Sequence, residues 1–270
     1  MEKLNKDIIT EAYSKQEIVE QLTQLGLASD MTVEVHSKFS SAGFIIGGPA
    51  AFNDALLQVV GENGNIVMPC QDYYNTEPLF WENPPVSMNL TDKIRENTPG
   101  YDIYTSGHRL MGVLVDDIRS RKNAYHSYHP NCGFVSIGKD SKYLMSNQPL
   151  SFPLGMKSPI GKMYQMDNSY TLLIGVDYDN CTSWHLAEHM SMVRGIILQG
   201  GCIKKAGKDI WKKYLDYDLN SDEFIEIGRQ YEKSAQVKIA KVANSVCRFF
   251  KMKEAIDFAY EYLKKKYERW

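Results

Sequence analysis

The chain has 270 residues, of which 43% are hydrophobic and 24% are charged, and its formal net charge at pH 7 is −2. This composition is typical of a globular protein with a core large enough to fold without disulfides. The near-neutral charge argues against nucleic acid as a partner. The five cysteines form no Cys-x-x-Cys pair, and no apolar run is long enough to span a membrane. We therefore expect a cytoplasmic protein with no membrane partner.

The amino-terminal part of the sequence predicts a helix followed by a strand–helix–strand unit. Ser14 and Glu17 form a capping box, which predicts a helix from Ser14 to Leu25 that Gly26 ends. The unit that follows consists of a strand at Thr32–Val35, a loop at His36–Gly48, a helix at Ala50–Val60 that starts at Pro49, and a strand at Asn65–Met68.

The remainder predicts further alternation of strands and helices. The segment Gln71–Gly107 is irregular and rich in Pro, Tyr and Asn, which favours a lid or binding loop. We expect helices at Met111–Ser120, Asp222–Glu232 and Lys253–Lys266, strands at Phe134–Ile137 and Tyr170–Val176, and a hairpin formed by Ile196–Cys202 and Trp211–Leu219. No linker or repeat divides this pattern, so it predicts one α/β domain over residues 1–270.

The stretch from Cys181 to His189 reads Cys-Thr-Ser-Trp-His-Leu-Ala-Glu-His and follows the strand predicted at Tyr170–Val176. His185, Glu188 and His189 would share one face of a helix. One interpretation is the His-x-x-Glu-His pattern of a zinc hydrolase, in which the histidines bind the metal. The other is proton transfer without a metal, in which His185 accepts a proton and a carboxylate orients its ring. No obvious third zinc ligand follows, but the residues alone leave both interpretations open.

Three further motifs each have a functional and a structural interpretation. The loop His36–Gly43 and the helix start at Gly47–Gly48 would let backbone N–H groups approach an anion, and Lys38 could meet a phosphate. The same loop also fits an ordinary polar connection. The histidines of Tyr125–Asn131 are candidates for ligands or phosphate contacts, or are structural. Ser158–Lys162 has the features of a helix start, with Ser158 as the N-cap.

Taken together and in order, several segments resemble the aminoglycoside 3-N-acetyltransferase family, including its Bacillus members of uncertain substrate. These segments are Val35–Gly43, Gly47–Gly48, Ile66–Pro69, Arg109–Gly112, Ser127–Pro130, Ser158–Gly161 and Asn180–Glu188. The chain departs from the family pattern at Lys38, Ser106 and His126. The resemblance implies a three-layer α/β/α fold with a mixed β-sheet.

The resemblance also implies acetyl-CoA as the donor, a small-molecule amine on an aminosugar as the acceptor, and no metal. His185 corresponds to the family's base, and the pattern includes Glu188 but not His189. The donor site it implies contains His36, Ser37, Lys38, Phe39, Ser40, Ser41, Gly43, Thr105, Met111, Gly112 and Ser127. A CoA-binding protein without useful catalysis is a further alternative. For the oligomeric state we expect a homodimer.

The chemistry of amine acetylation adds expectations about the acceptor side. An ammonium group must lose a proton before it can attack a thioester, and a histidine with an ordinary pKa near 6.5 suits this task. A polycationic acceptor also needs acidic or aromatic surroundings. The candidates in the flanking loops are Asp72, Tyr73, Glu82, Asp177 and Asp179.

Overall fold

The computed structural model describes residues 8–106, 111–234 and 237–268. Arg109 and Leu110 of the Arg109–Gly112 motif, Gly107 at the end of the predicted irregular segment, and the first seven residues lie outside the described residues. No helix within the described ranges is long and apolar enough to cross a membrane.

A mixed seven-stranded sheet forms the centre of the fold. The strands of the described residues, in this sheet and outside it, are β1 (Ala12–Tyr13), β2 (Thr32–Ser37), β3 (Phe44–Ile45), β4 (Asn65–Pro69), β5 (Tyr125–His126), β6 (Phe134–Gly138), β7 (Ser169–Ile174), β8 (Ile196–Lys205), β9 (Lys208–Tyr217), β10 (Lys238–Val242) and β11 (Ser245–Lys251). The central sheet has the order β10-β11-β7-β2-β4-β6-β5. Strand β2 is parallel to both β4 and β7, whereas the other pairs in this sheet are antiparallel. The predicted mixed sheet is confirmed.

Helices cover both faces of this sheet. They are α1 (Lys15–Leu25), α2 (Gly48–Val60), α3 (Thr91–Asn97), α4 (Val113–Ser120), α5 (Ser141–Met145), α6 (Pro159–Tyr164), α7 (His185–Ser191), α8 (Phe224–Ser234) and α9 (Met252–Tyr267). Side chains alternate along a strand, so Leu172 and Ile174 pack in a core with α1, α2 and α4. Leu173 points the other way, into a core with α5 to α9. These two cores make the three-layer α/β/α architecture that the resemblance implies.

The ends of α1 form as the sequence predicts. The Ser14 hydroxyl accepts a hydrogen bond from the Glu17 amide, and the Glu17 carboxylate accepts one from the Ser14 amide, so the capping box is complete. Gly26 ends the helix with φ of 117°, a left-handed conformation that favours glycine. The helix start predicted at Ser158 also forms, because the Ser158 side chain accepts from the amide of Gly161.

Other boundaries differ from the prediction. The predicted loop His36–Gly48 contains the end of β2, a 3-10 turn at Phe39–Ala42, and β3. The segment Gln71–Gly107 is not wholly irregular, since it contains α3 and two 3-10 turns. The helix predicted from Met111 begins at Val113. Strands β10 and β11 were not predicted at all, although β11 pairs with β7 and so lies inside the sheet.

Strands β8 and β9 make a separate two-stranded hairpin. The predicted hairpin is confirmed, and it is longer than expected, with Ile196 paired to Tyr217 at one end and Lys205 to Lys208 at the other. The segment between β4 and α4 lies against it, since Tyr101 donates its amide proton to the carbonyl of Cys202. The hairpin and this segment together form one side of the candidate site.

Candidate active site

His185 begins α7, immediately after a 3-10 turn at Thr182–Trp184 that follows β7. Its Nδ1 lies 2.5 Å from Oε2 of Glu188, one helical turn further on. This contact requires the proton on Nδ1, because an ionised carboxylate only accepts hydrogen bonds. In the neutral form of the ring, the other nitrogen, Nε2, is then an acceptor. The imidazole side chain is 17% exposed and packs against Phe224.

Glu188 is completely buried and hydrogen-bonded through both carboxylate oxygens. Oε1 accepts from Nε of Arg194 at 2.5 Å and from the amide of Asn220 at 3.1 Å. Burial acts to raise the pKa of Glu188, but its hydrogen bond with His185, the Asn220 amide and the charge of Arg194 together leave that pKa lowered. Glu188 is therefore held as a carboxylate facing the ring of His185.

His189 lies in a different environment from His185. Its ring packs edge-on against Phe152 and Tyr217, and its Nε2 lies 3.7 Å from Oδ1 of Asp216. Burial lowers the pKa of His189 to about 4. Among the residues that the structure describes, no three His, Cys, Asp or Glu side chains are grouped so as to hold a metal ion. The two histidines of the His-x-x-Glu-His pattern thus have separate partners.

His36 contacts the segment that carries His185. It is the last residue but one of β2, beside β7, and its Nε2 lies 3.3 Å from the amide nitrogen of Thr182. The same Nε2 lies 3.1 Å from Oε1 of the fully buried Glu34. An unprotonated Nε2 accepts from Thr182, whereas a protonated one donates to Glu34. The contact with Thr182 fixes the turn before α7 against the central strand, whereas the contact with Glu34 stays within β2.

Five of the predicted donor-binding residues line one open cleft of about 760 Å³ at the carboxyl ends of β2 and β7. They are Ser37, Lys38, Phe39, Ser40 and Gly112. Ligands of α/β proteins commonly bind at this edge of a sheet. The cleft also includes Asn180, which lies five residues before His185 in the chain. The structure therefore brings Ser37 and Gly112, which are 75 positions apart in the chain, into one cavity.

The structure places the remaining predicted donor residues outside that cleft. The Ser41 hydroxyl donates to the carbonyl of Lys38 and contacts that of Ser245. Ser127 is completely buried, and its hydroxyl accepts from the amide of Phe134, so it presents no surface to a ligand. The others are Gly43, which ends the 3-10 turn; Thr105, which lines a separate cavity of about 730 Å³; Met111, which packs on the hydrophobic core; and His36, described above.

The predicted acceptor residues fall into three places. Asp72 and Tyr73 line a cleft of about 230 Å³ between the β4–α4 segment and the hairpin. Glu82 lines a cleft of about 570 Å³ that shares Asp218 and Leu219 with the first.

Asp177 and Asp179 instead line the 760 Å³ cleft, because they lie in the segment that follows β7. The charge of Asp177 is also compensated there, since Oδ2 accepts from Arg229 at 2.5 Å and Arg248 lies 3.8 Å from Oδ1. The structure thus separates Asp177 and Asp179 from Asp72, Tyr73 and Glu82, and their role in acceptor binding stays a prediction.

Sequence reasoning missed two acidic residues of the 230 Å³ cleft and the arginine bound to Glu188. Asp216 and Asp218 come from the end of the hairpin, and both line the 230 Å³ cleft. Burial raises the pKa of Asp216 to about 7, and that of Asp72 to about 6. The sequence carried no signal for Asp216, since an alternating strand would be expected to bury Leu215, whereas the structure buries Asp216 and exposes Leu215. A carboxylate on the inner face of an alternating strand points to a functional role.

Comparison with known proteins identifies the family. The sequence profile described as aminoglycoside 3-N-acetyltransferase matches residues 35–264. Over 247 residues the chain is 42% identical to the SPbeta prophage-derived aminoglycoside N(3')-acetyltransferase-like protein YokD of Bacillus subtilis (strain 168), covering 91% of this chain and 90% of that protein. The crystal structure of YokD superposes with a TM-score of 0.90 at 41% identity, covering 95% of this chain and 96% of YokD.

More distant relatives agree with this result. Aminoglycoside N(3)-acetyltransferase VII of Streptomyces paromomycinus is 25% identical over 268 residues, covering 93% of this chain and 92% of that enzyme. A structure of AAC-IIIb in a binary complex with CoASH has a TM-score of 0.84 at 22% identity, covering 95% and 98% of the two chains, and shows the same fold. The profile match and the extensive identity to YokD show that the chain belongs to the aminoglycoside 3-N-acetyltransferase family.

Proposed function

We propose that the chain, as a single acetyltransferase domain over residues 1–270, transfers an acetyl group from acetyl-CoA to an amine. The acceptor class we propose is an aminoglycoside or a related amine, acetylated at its 3-amino group. The observation that carries this proposal is the 2.5 Å contact between Nδ1 of His185 and the buried carboxylate of Glu188. An imidazole oriented in this way is suited to act as a general base.

The proposed reaction needs one proton acceptor on the protein. Nε2 of His185 accepts the proton of the attacking amine, and the Glu188 carboxylate stabilises the imidazolium that forms. The amine nitrogen bonds to the thioester carbonyl carbon, the carbon–sulfur bond then breaks, and the leaving thiolate takes up the proton from His185. Backbone N–H groups of Phe39 and Ser40, which begin a 3-10 turn, are candidate donors to the oxyanion.

The donor cleft fits a ligand of the size of the CoA arm. A volume of about 760 Å³ lies in the usual range for small-molecule sites. We assign the donor to Ser37, Lys38, Phe39, Ser40 and Gly112, with the ammonium of Lys38 available to the phosphates. No step of the proposed reaction uses a metal.

The acceptor side is acidic, as a polyamine requires. The 230 Å³ and 570 Å³ clefts adjoin at Asp218 and Leu219 and also contain Asp72, Asp216, Glu82 and Asp222. Carboxylates in a cleft attract cationic ligands and suppress binding of anions. We therefore place the acceptor between the β4–α4 segment and the hairpin.

The direct test is thiol release from acetyl-CoA in the presence of an aminoglycoside panel such as sisomicin, gentamicin and neomycin, with the product examined by mass spectrometry. The proposal predicts acetylated amine and stoichiometric CoA. Tight CoA binding without any acetylated amine would indicate a CoA-binding protein without catalysis. Stoichiometric zinc, with activity lost on chelation, would favour a hydrolase that uses His185, Glu188 and His189.

A further inference from the structure

Arg194 lies in the turn between α7 and β8 and uses all three of its guanidinium nitrogens. Nε donates to Oε1 of Glu188 at 2.5 Å, Nη1 donates to the hydroxyl of Tyr267 at 3.0 Å, and Nη2 donates to Oε2 of Glu223 at 3.2 Å. Its side chain is 9% exposed. A buried arginine bound on three sides fixes the position of each partner more firmly than a single ion pair does.

The far side of Arg194 is anchored to the end of α9. The Tyr267 hydroxyl donates to Oε1 of Glu223 at 2.6 Å, and the guanidinium carbon of Arg194 lies 5.4 Å from the centre of the Tyr267 ring. Lys266 lies 3.2 Å from the same Glu223 oxygen. Residues near the start of α8 and the end of α9 therefore hold the guanidinium in place.

Glu188 needs a cation on the side away from His185. A fully buried carboxylate is costly unless it is paired and hydrogen-bonded, and the Asn220 amide alone supplies no charge. Arg194 binds Oε1 and so leaves Oε2 directed at Nδ1 of His185. Its positive charge also partly offsets the field of Glu188 at the imidazole.

We propose that Arg194 is a positioning residue of this active site: it aligns Glu188 against His185 and weakens proton binding by the His185–Glu188 pair, and Glu223 and Tyr267 hold it in place. This inference rests on the proposed role of His185 as the base. It assigns to Glu223 an indirect role, because that carboxylate reaches the pair only through Arg194.

Other charged groups also face His185. Asp216 of β9 interacts with it electrostatically, and His189 lies one turn along α7. The Glu34–His36 pair of β2 contacts the turn before α7 through His36. Lys266 belongs to the Glu223 cluster. All of these remain in place when only Arg194 is changed, so a comparison with the unaltered protein isolates the effect of Arg194.

The test is an NMR titration of the His185 ring protons in the free enzyme, assigned with His185→Ala, together with the acid limb of the pH profile of kcat/KM. In Arg194→Met both midpoints should move to higher pH by about one unit, because a proton on the pair is no longer repelled by the guanidinium. Arg194→Lys keeps the charge and should leave the midpoints in place, while turnover on the pH plateau falls roughly tenfold through lost alignment.

Glu223→Gln should move both midpoints in the opposite direction, by about half a unit, because the charge of Arg194 is then less compensated. This variant keeps the side-chain shape and remains a test if Arg194→Met does not fold. Arg121→Met is the matched control, since Arg121 pairs with Asp54 and Asp117 far from the site.

Midpoints unchanged in Arg194→Met and in Glu223→Gln would overturn the inference, as would the same shift in Arg121→Met. The titration needs no turnover, so it decides the role of Arg194 even if no acceptor is acetylated. Absence of acetylation in the unaltered protein would instead contradict the proposed function.

Discussion

Asn75 and the backbone of Cys202 are joined by a reciprocal pair of hydrogen bonds. The Asn75 side chain donates Nδ2–H to the Cys202 carbonyl at 2.8 Å and accepts from the Cys202 amide at 2.6 Å. Its amide group thus occupies the place of a neighbouring strand along β8. Because Glu77 also bonds Gln199 through its amide, the β4–α4 segment is fastened to the hairpin. These contacts fix the walls of the 230 Å³ cleft, where we propose that the acceptor binds.

Asn75→Ala should weaken this attachment. The variant leaves the Cys202 amide and carbonyl unpaired inside the protein, which should lower the free energy of unfolding by about 2 kcal/mol. We expect the KM for the amine acceptor to rise while the KM for acetyl-CoA stays unchanged, because the donor cleft is formed by other elements. Ser87→Ala, in an exposed part of the same segment, is the control and should change neither constant. Equal rises in both KM values would count against a separate acceptor side.

Asp72→Asn tests the electrostatic role of the acceptor cleft. Burial raises the pKa of Asp72 to about 6, so its charge is present above that pH and is lost as the pH falls through it. The acceptor KM of the unaltered protein should therefore rise below pH 6. In the variant it should be roughly tenfold higher at pH 7.5 and should lose this dependence, since one charged contact is worth about 1.5 kcal/mol. Steady-state kinetics over pH 5 to 8 measures both.

Asp179→Asn is the control variant for that experiment. Asp179 is exposed and lines the donor cleft, so its removal should leave the acceptor KM as it was. An acceptor KM raised by Asp179→Asn and unaffected by Asp72→Asn would reverse the assignment of the two sides.

His129 should contribute to acid unfolding. The ring is buried, accepts from the amide of Cys132 at 2.9 Å and bonds the carbonyl of Leu150, and burial lowers its pKa to about 4. Between this value and the ordinary pKa near 6.5 the unfolded chain binds more protons, so stability is present above pH 6.5 and is lost as the pH falls towards 4. The contribution is at most about 1.4 kcal/mol per pH unit.

Urea unfolding of His129→Gln and of the unaltered protein at several pH values checks this. The variant will be less stable at neutral pH, but its stability should fall less steeply between pH 6.5 and 4. Parallel curves for the two proteins would show that His129 does not take up a proton on unfolding. The pKa of His189 is also lowered by burial, so part of the decrease in stability with falling pH should remain in the variant.

Local signals in the sequence predicted most of the central fold. The capping box at Ser14, the Pro49 helix start and the apolar runs of β2, β4 and β7 each act within a few residues, so pattern and propensity were enough. Strand β10 was not predicted because four of its five residues are exposed, which leaves no apolar alternation to recognise. Strand β11 takes its place in the sheet by pairing with β7, a contact between distant parts of the chain, and β10 pairs with β11.

In the site, too, local contacts could be predicted from the sequence and distant ones could not. His185 and Glu188 are one helical turn apart, so their contact follows from the spacing. The partner of Glu188 does not, since Arg194 lies beyond the end of α7 and its own anchor Tyr267 comes from the last helix. The surroundings of Asp177 could not be predicted for a related reason: its position after β7 was clear, but the two arginines that pair with it come from α8 and β11.

The proposed role of His185 as the general base is tested by comparing acetyl transfer by His185→Ala and His189→Ala. Donor binding by calorimetry serves as the control. We predict that His185→Ala binds acetyl-CoA as before and loses roughly two to four orders of magnitude in kcat, whereas His189→Ala loses far less. Unchanged turnover in His185→Ala would contradict the account, and so would comparable near-complete losses in both variants accompanied by loss of a bound metal.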